Sequence, residues 1–229
     1  MDDRLNAQIK RTWPRQIAFT LIVVALIFVP AGTLAYWQGW AFLAVFLGCS
    51  VGLGIYFANH DPALLERRMK AGPAAEQEPA QKIIIALLLT VLMLLLVMAG
   101  FDHRWHGAVA PAWLVVLADF GVVVSFAVFF IVMKQNSYAA STIRVEQGQP
   151  VISTGLYGLV RHPMYTGALL LVVCMPLALG SYRALLAVVI AVPVLAWRLL
   201  DEERYLKLNL PGYAEYCVRV RYRLIPLIW

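Results

Sequence analysis

Long apolar runs broken by shorter polar segments dominate this chain. They fall at about 16–35, 39–57, 83–101, 112–133, 164–179 and 184–200, and runs near twenty residues match the hydrocarbon thickness of a bilayer. Each predicts a membrane-crossing helix. The last two runs are short, carry Pro176 and Pro193, and are joined by the turn Gly180-Ser181-Tyr182-Arg183. They read as a helical hairpin that crosses twice, with a partly inserted hairpin as the alternative. Tyr36, Trp37 and Trp40 follow the first run as an interfacial aromatic belt would. Gly48, Gly52 and Gly54 in the second run predict a small-residue packing face, or less readily a substrate groove. The polar stretch 59–82 reads as a loop with a short surface helix at Pro62–Met69. The expected fold is all-α: a polytopic integral membrane protein of about six transmembrane helices, with a four-helix N-terminal region over 1–133 and a chemistry-bearing region over 134–229.

Composition agrees with a membrane setting. Of the 229 residues, 62% are hydrophobic and 14% charged, more apolar than an ordinary soluble domain. The net charge of +6 is not spread evenly. With six crossings and both termini inside, Arg104 and Arg183 are the only members of the 19 Lys and Arg that fall outside. The basic charge therefore points to cytoplasmic loops and anionic lipid, not to nucleic acid. The first run lacks a small-residue cleavage site and is expected to stay as an anchor. A bacterial inner membrane is the expected location, with the site facing the cytoplasm. Cys49, Cys174 and Cys217 make no disulfide or metal pattern. His103 and His106 lie in a brief outer loop, and no metal site is expected. Asp119 sits inside the fourth run, where a capping or snorkelling role near the interface is the simpler reading.

Candidate chemistry concentrates after residue 134. Gly155-Leu156-Tyr157-Gly158-Leu159-Val160-Arg161-His162-Pro163-Met164-Tyr165-Thr166-Gly167 stands where a polar segment meets an apolar run. Pro163 predicts a helix start, with unbonded N–H groups beside Arg161 and His162 that suit a polar or anionic ligand. A second polar cluster, Trp197-Arg198-Leu199-Leu200-Asp201-Glu202-Glu203-Arg204, lies beyond the hairpin. Arg198 and Glu202 are four apart, so spacing alone allows a simple ion pair on one helix face. A tight hairpin would also bring the two clusters together around a pocket with Arg and His on one wall and carboxylates on the other. Such a pocket suits a ligand carrying both an ammonium and a carboxylate.

Arg161-His162-Pro163-Met164-Tyr165-Thr166-Gly167, with Gly155-Leu156-Tyr157 before it and Asp201-Glu202-Glu203 and Gly212-Tyr213-Ala214-Glu215-Tyr216 after it, resembles the isoprenylcysteine carboxyl methyltransferase family. Membrane phospholipid N-methyltransferases and thiol S-methyltransferases share much of this pattern. The resemblance covers about 134–229. It implies S-adenosylmethionine bound on the cytoplasmic side, in a pocket closed by the C-terminal tail, and a lipophilic or lipid-attached methyl acceptor. It places Gln149, Pro150, Val151 and Ile152 along the cofactor. Tyr157, Arg161, His162, Pro163, Met164 and Tyr165 continue the wall, and Glu202 stands near the cofactor's amino group. Arg198 would face the acceptor, with His162, Tyr165 or Glu203 helping to move a proton where the acceptor has one. Two departures stand out: Gln149 replaces a frequent His, and Glu203 is able to take the place of Glu202.

Two rival classes remain at this level. Sterol-type reductases using NADPH carry a similar segment, but typically with Asn before the Tyr and an acidic residue just after the following Gly. This chain has Met164 and Ala168 there, which favours the methyltransferase. A non-catalytic scaffold or small transporter would leave the joint pattern unexplained. The acceptor's head group (carboxylate, amine or thiol) and the oligomeric state are not specified by these residues.

Overall fold

The computed structural model describes residues 3–76, 78–105 and 110–229, with side chains from residue 17 onward. His106 therefore lies outside the described residues. The regular elements are helical: α1 (Asp3–Ala31), α2 (Trp37–His60), α3 (Pro62–Met69), α4 (Pro79–Arg104), α5 (Ala112–Gln135), α6 (Pro163–Ala178), α7 (Leu185–Asn209) and α8 (Tyr213–Arg219). The surface helix expected after the second run is α3. It starts because Asp61 accepts a hydrogen bond from the Leu64 N–H and Pro62 supplies a preset φ at the first turn.

Three helices, α2, α4 and α5, are long and apolar enough to cross a membrane. The stretch 17–31 of α1 and the whole of α6 are apolar but shorter, and α7 turns polar in its last two turns. Length and composition thus support three of the six expected crossings directly. The outer surfaces are apolar: Leu21, Val29, Val116, Phe120, Val189 and Ile190 are each more than half exposed, as lipid-facing side chains are. The protein is an integral membrane protein.

Burial of apolar area against lipid gains little, so close packing must hold the helices together. α5 packs most extensively on α6, and α4 packs on both α1 and α7. Ile27, Leu95, Ala99, Val122 and Ala178 have no exposure at all. Contact is closest at single glycines. A Cβ on Gly100 would lie 2.5 Å from the Ile27 carbonyl oxygen, and one on Gly167 would lie 2.8 Å from the Phe129 ring. Gly39 of α2 is close-packed in this way, with a Cβ there 3.1 Å from Phe28, but the three glycines further along that helix are not. A Cβ at Gly48, Gly52 or Gly54 meets nothing within 4 Å, so the expected packing face is not used within this chain. Asp119 also departs from expectation. It lies two turns into α5, is buried, and its Oδ1 has no hydrogen-bond partner among the described residues.

The two ends of the bundle differ. At one end Asp102 is bonded by the Ser181 hydroxyl at 2.7 Å and paired with Arg183 at 3.1 Å, and the Tyr36 hydroxyl donates to the Leu179 carbonyl at 2.5 Å. His103 stacks on Tyr36 there. Arg104 lies against Gly32 at the same end. At the other end α4 begins, α5 ends, α6 begins and α7 ends, and the polar segments between them gather there.

Gly100→Ala should therefore lower the unfolding temperature in detergent, with an overpacking cost of roughly 1–3 kcal/mol. Gly48→Ala should be neutral or raise it, because Ala is favoured over Gly in a helix by about 0.5–1 kcal/mol and has room here. Thermal unfolding of both variants checks the contrast.

Candidate active site

The motif adopts the conformation its residues dictate. Gly155 has φ +59, and a side chain there would run into the Gln135 amide, whose Oε1 instead accepts the Leu156 N–H at 3.1 Å. His162 stays out of the helical region, with φ −126 and ψ 63, ahead of Pro163, the first residue of α6. The N–H groups of Tyr165 and Thr166 return to the His162 carbonyl at 3.0 and 3.1 Å, so most of the unbonded N–H groups expected at this turn are already used.

The C-terminal tail lies along the motif. The Arg161 and His162 N–H groups donate to the Tyr222 and Arg223 carbonyls at 2.9 and 3.0 Å. The Thr166 hydroxyl reaches the Leu224 carbonyl at 2.8 Å, and the Tyr216 hydroxyl reaches the Tyr157 carbonyl at 2.7 Å. Leu210, Tyr213, Tyr216 and Val220 form a small core beneath this contact. The alternation of Arg219, Arg221 and Arg223 with Val220, Tyr222 and Leu224 thus gives the tail a buried side and a polar side.

Glu203 ties these parts together. Its side chain is 3% exposed and meets Arg161 at 3.1 Å, His162 Nε2 at 3.3 Å and Arg223 Nε at 3.0 Å. Burial raises its pKa, but the hydrogen bond and charge of His162, with Arg223 and Arg161, more than reverse this and hold it at about 2. The Tyr213 hydroxyl shares His162 Nε2 at 3.3 Å. Burial pushes the Tyr213 and Tyr216 hydroxyls well up and the Tyr157 hydroxyl up to about 12, so all three stay protonated.

A cavity of about 330 Å³ opens between this assembly and the helix ends. Residues 149–152, Tyr157 and the run 161–165 line it, together with Arg198 and Glu202. The hairpin has brought the two predicted clusters together. Glu203 is not among the lining residues. Its role here is to hold Arg161, His162 and the tail. Glu202 accepts a 2.5 Å hydrogen bond from the Tyr165 hydroxyl, and no Lys, Arg or His pairs with it among the described residues. The helical Arg198–Glu202 ion pair that the spacing allowed is not formed.

Arg198 pairs instead across the bundle, with Glu76 at 2.9 Å, while Gln81 and the Ser141 carbonyl accept from it at 2.7 and 2.9 Å. Glu76 and Gln81 were hidden in a stretch that reads as surface loop, although both are buried. Their one visible signal was a Gln at the very start of an apolar run. Arg68 also lines the cavity, and its side chain donates to the Ala139 carbonyl at 3.0 Å. Arg67 and Arg144 share Glu146 at 3.0 and 3.1 Å, and the Arg67 hydrogen bond is the first cause holding the Glu146 carboxyl low. These pairs explain how α3 orders the long polar segment 134–152. Both sides of the 133/134 boundary therefore furnish the cavity. Among the described residues no group of three His, Cys, Asp or Glu side chains is placed to hold a metal.

Glu203→Ala should leave three cationic or polar partners unmatched and cost about 3–5 kcal/mol. Because the folded pKa is depressed, the stabilisation from Glu203 should be complete above about pH 4.5 and disappear as pH falls towards about 2. Proteolysis of the tail across that pH range, in wild type and variant, reads this out. The variant should be cut early at every pH and the wild type only at the acid end.

Two comparisons with known proteins bear on this chain. Delta(14)-sterol reductase TM7SF2 of Mus musculus is 32% identical over 91 residues, which make up 38% of this chain and 22% of that protein, so the chain spans about a fifth of the relative's length. Residues 112–210 match the family model described as phospholipid methyltransferase, a stretch that runs from the start of α5 through α7 and holds the motif, Arg198, Glu202 and Glu203.

Proposed function

We propose that this protein is a membrane methyltransferase that uses S-adenosylmethionine and methylates a lipophilic acceptor at the cytoplasmic face. The observation that carries this reading is Glu202, a carboxylate that makes no direct ion pair among the described residues, in a cavity whose walls also carry Tyr157, Tyr165, Tyr213 and Tyr216. Such a carboxylate calls for a cation from a ligand, and aromatic faces attract a sulfonium or pack an adenine. The cavity lies at the lower end of the size range of small-molecule sites. The donor set thus fits the cofactor. Glu202 would hold its amino group, residues 149–152 would run along it, and Tyr157, His162, Met164 and Tyr165 would complete the wall. The family match at 112–210 supports the same reading.

When bound, the cofactor supplies a methyl on a sulfonium, already a good leaving group. The protein's part is then mainly to orient the acceptor and keep water out, effects that together reach about 7–11 kcal/mol in well-oriented systems. The tail, held by Glu203 and by its backbone bonds to 161 and 162, closes the site. Tyr165 keeps its proton directed at Glu202. An amine or thiol acceptor must also lose a proton, and His162 and Glu202 are the candidates to take it, since Tyr165 keeps its own. The isoprenylcysteine resemblance would make the acceptor a carboxylate, and the phospholipid methyltransferase match would make it an amine. The sterol reductase similarity supports a second reading, NADPH-dependent reduction, against which Met164 and Ala168 count.

Six crossings with both termini and the cavity inside accord with the position of Arg104 and Arg183 at the opposite end of the bundle. In a bacterium this places the site at the inner face of the cell membrane. A cysteine at position 183 should then react with an impermeant reagent from outside only, and reaction from the cytoplasm alone would replace the six-crossing arrangement with a partly inserted hairpin. Glu202→Gln should weaken cofactor affinity about ten- to a hundred-fold, the loss of one charge-assisted contact. Radiolabelled methyl transfer into a lipid extract should fall with it. Unchanged affinity would move the cofactor elsewhere.

A further inference from the structure

Arg198 lines the cavity, but its guanidinium is already engaged. Nη2 donates both to Glu76 Oε1 and to the Ser141 carbonyl, each at 2.9 Å, and Nη1 donates to Gln81 Oε1 at 2.7 Å. A guanidinium presents a carboxylate with two two-pronged edges, Nη1–Nη2 and Nε–Nη2. Both edges need a hydrogen on Nη2, and both of those hydrogens are taken. The charge is met as well. The Glu76 side chain is 1% exposed and its Oε2 accepts the Ile143 N–H at 3.2 Å, so the carboxylate is held in place and cannot swing aside freely. Gln81 is oriented from behind, since its Nε2 donates to Asp201 and leaves its Oε1 to face Arg198.

We propose that Glu76, with Gln81, is a specificity-determining positioning residue: it occupies the fork and the charge of Arg198, so that the site excludes an acceptor presenting a carboxylate to Arg198. Neither Glu76 nor Gln81 lines the cavity, so both act through Arg198. The remaining Nε–H and second Nη1–H leave single-pronged contacts for a head group without negative charge. With Arg198 matched by Glu76, Glu202 is the charge this part of α7 leaves facing the cavity, which disfavours a carboxylate further and tolerates an amine or a thiol. The proposal rests on the methyltransferase reading for what happens to the head group, but selection at Arg198 is a binding property and is tested as one.

The test uses the full-length protein in neutral phosphatidylcholine nanodiscs. Retention of radiolabelled dodecanoate and dodecylamine is measured by equilibrium dialysis, with empty nanodiscs subtracted. Wild type should hold no dodecanoate above the empty disc. Glu76→Gln frees the fork and should bring total dodecanoate retention to at least ten times that of empty nanodiscs, and Glu76→Asp should restore exclusion. Adding Arg198→Met to Glu76→Gln should abolish the gain. Dodecanoate held by wild type and lost in Arg198→Met would overturn the proposal, and so would a folded Glu76→Gln protein that gains no dodecanoate. Should Glu76→Gln fail to fold, the comparison of wild type with the charge-balanced double variant still decides whether Arg198 recognises carboxylates. S-adenosylmethionine affinity, measured in parallel, keeps the two readings apart: its absence removes the methyltransferase assignment while the dodecanoate result still reports on the fork.

Discussion

A carboxylate removed almost completely from water must be met by cations and donors, and Glu203 is met from three directions. Arg161 and His162 come from the motif ahead of α6, Arg223 comes from the tail, and Glu203 itself sits on α7. Removing Glu203 leaves the buried Arg161 without its carboxylate, which is far costlier than losing an exposed pair. The geometry of the cavity follows from this contact. His162 is held where its backbone pairs with the tail, Tyr165 is carried one turn along α6 to Glu202, and the tail is fixed along the motif. Glu202 is then left without a cation, one residue before a carboxylate that has three partners.

The membrane supplies the second constraint. Inside lipid the helices gain little from burying apolar side chains, so they approach where a glycine permits contact, at Gly100, Gly167 and Gly121, the last against the Cys174 sulfur. Polar groups are confined to the two ends. One end ties Asp102 to Ser181 and Arg183 and gives the hairpin a firm turn, and the other assembles the cavity. Apart from Asp119, buried two turns into α5, the charged residues of the bundle act at a helix end, where they have partners or a ligand to meet.

The helices, the short α3 and the convergence of the motif with the 198–203 cluster were legible in the sequence, because apolar run length, Pro62 and Pro163, and a tight hairpin are local signals. Three things were not. Spacing pairs Arg198 with Glu202, but the structure pairs it with Glu76, more than a hundred residues away, because a polar loop folds back under α4. Glu202 and Glu203 are adjacent and chemically alike. The helical turn between them sends one to the cavity and the other to the cation cluster, a distinction that depends on the tail. Gly48, Gly52 and Gly54 of α2 looked like a packing face only because composition does not reveal which side of a helix has a neighbour.

The central claim is that the cavity between the motif and Glu202 is built for a sulfonium cofactor bearing an ammonium group. Calorimetric titration of the purified protein with S-adenosylhomocysteine and, separately, with NADPH tests it most directly. The account predicts saturable binding of S-adenosylhomocysteine at one site per chain and no binding of NADPH. Saturable NADPH binding with no response to S-adenosylhomocysteine would contradict it and make the cavity that of a reductase.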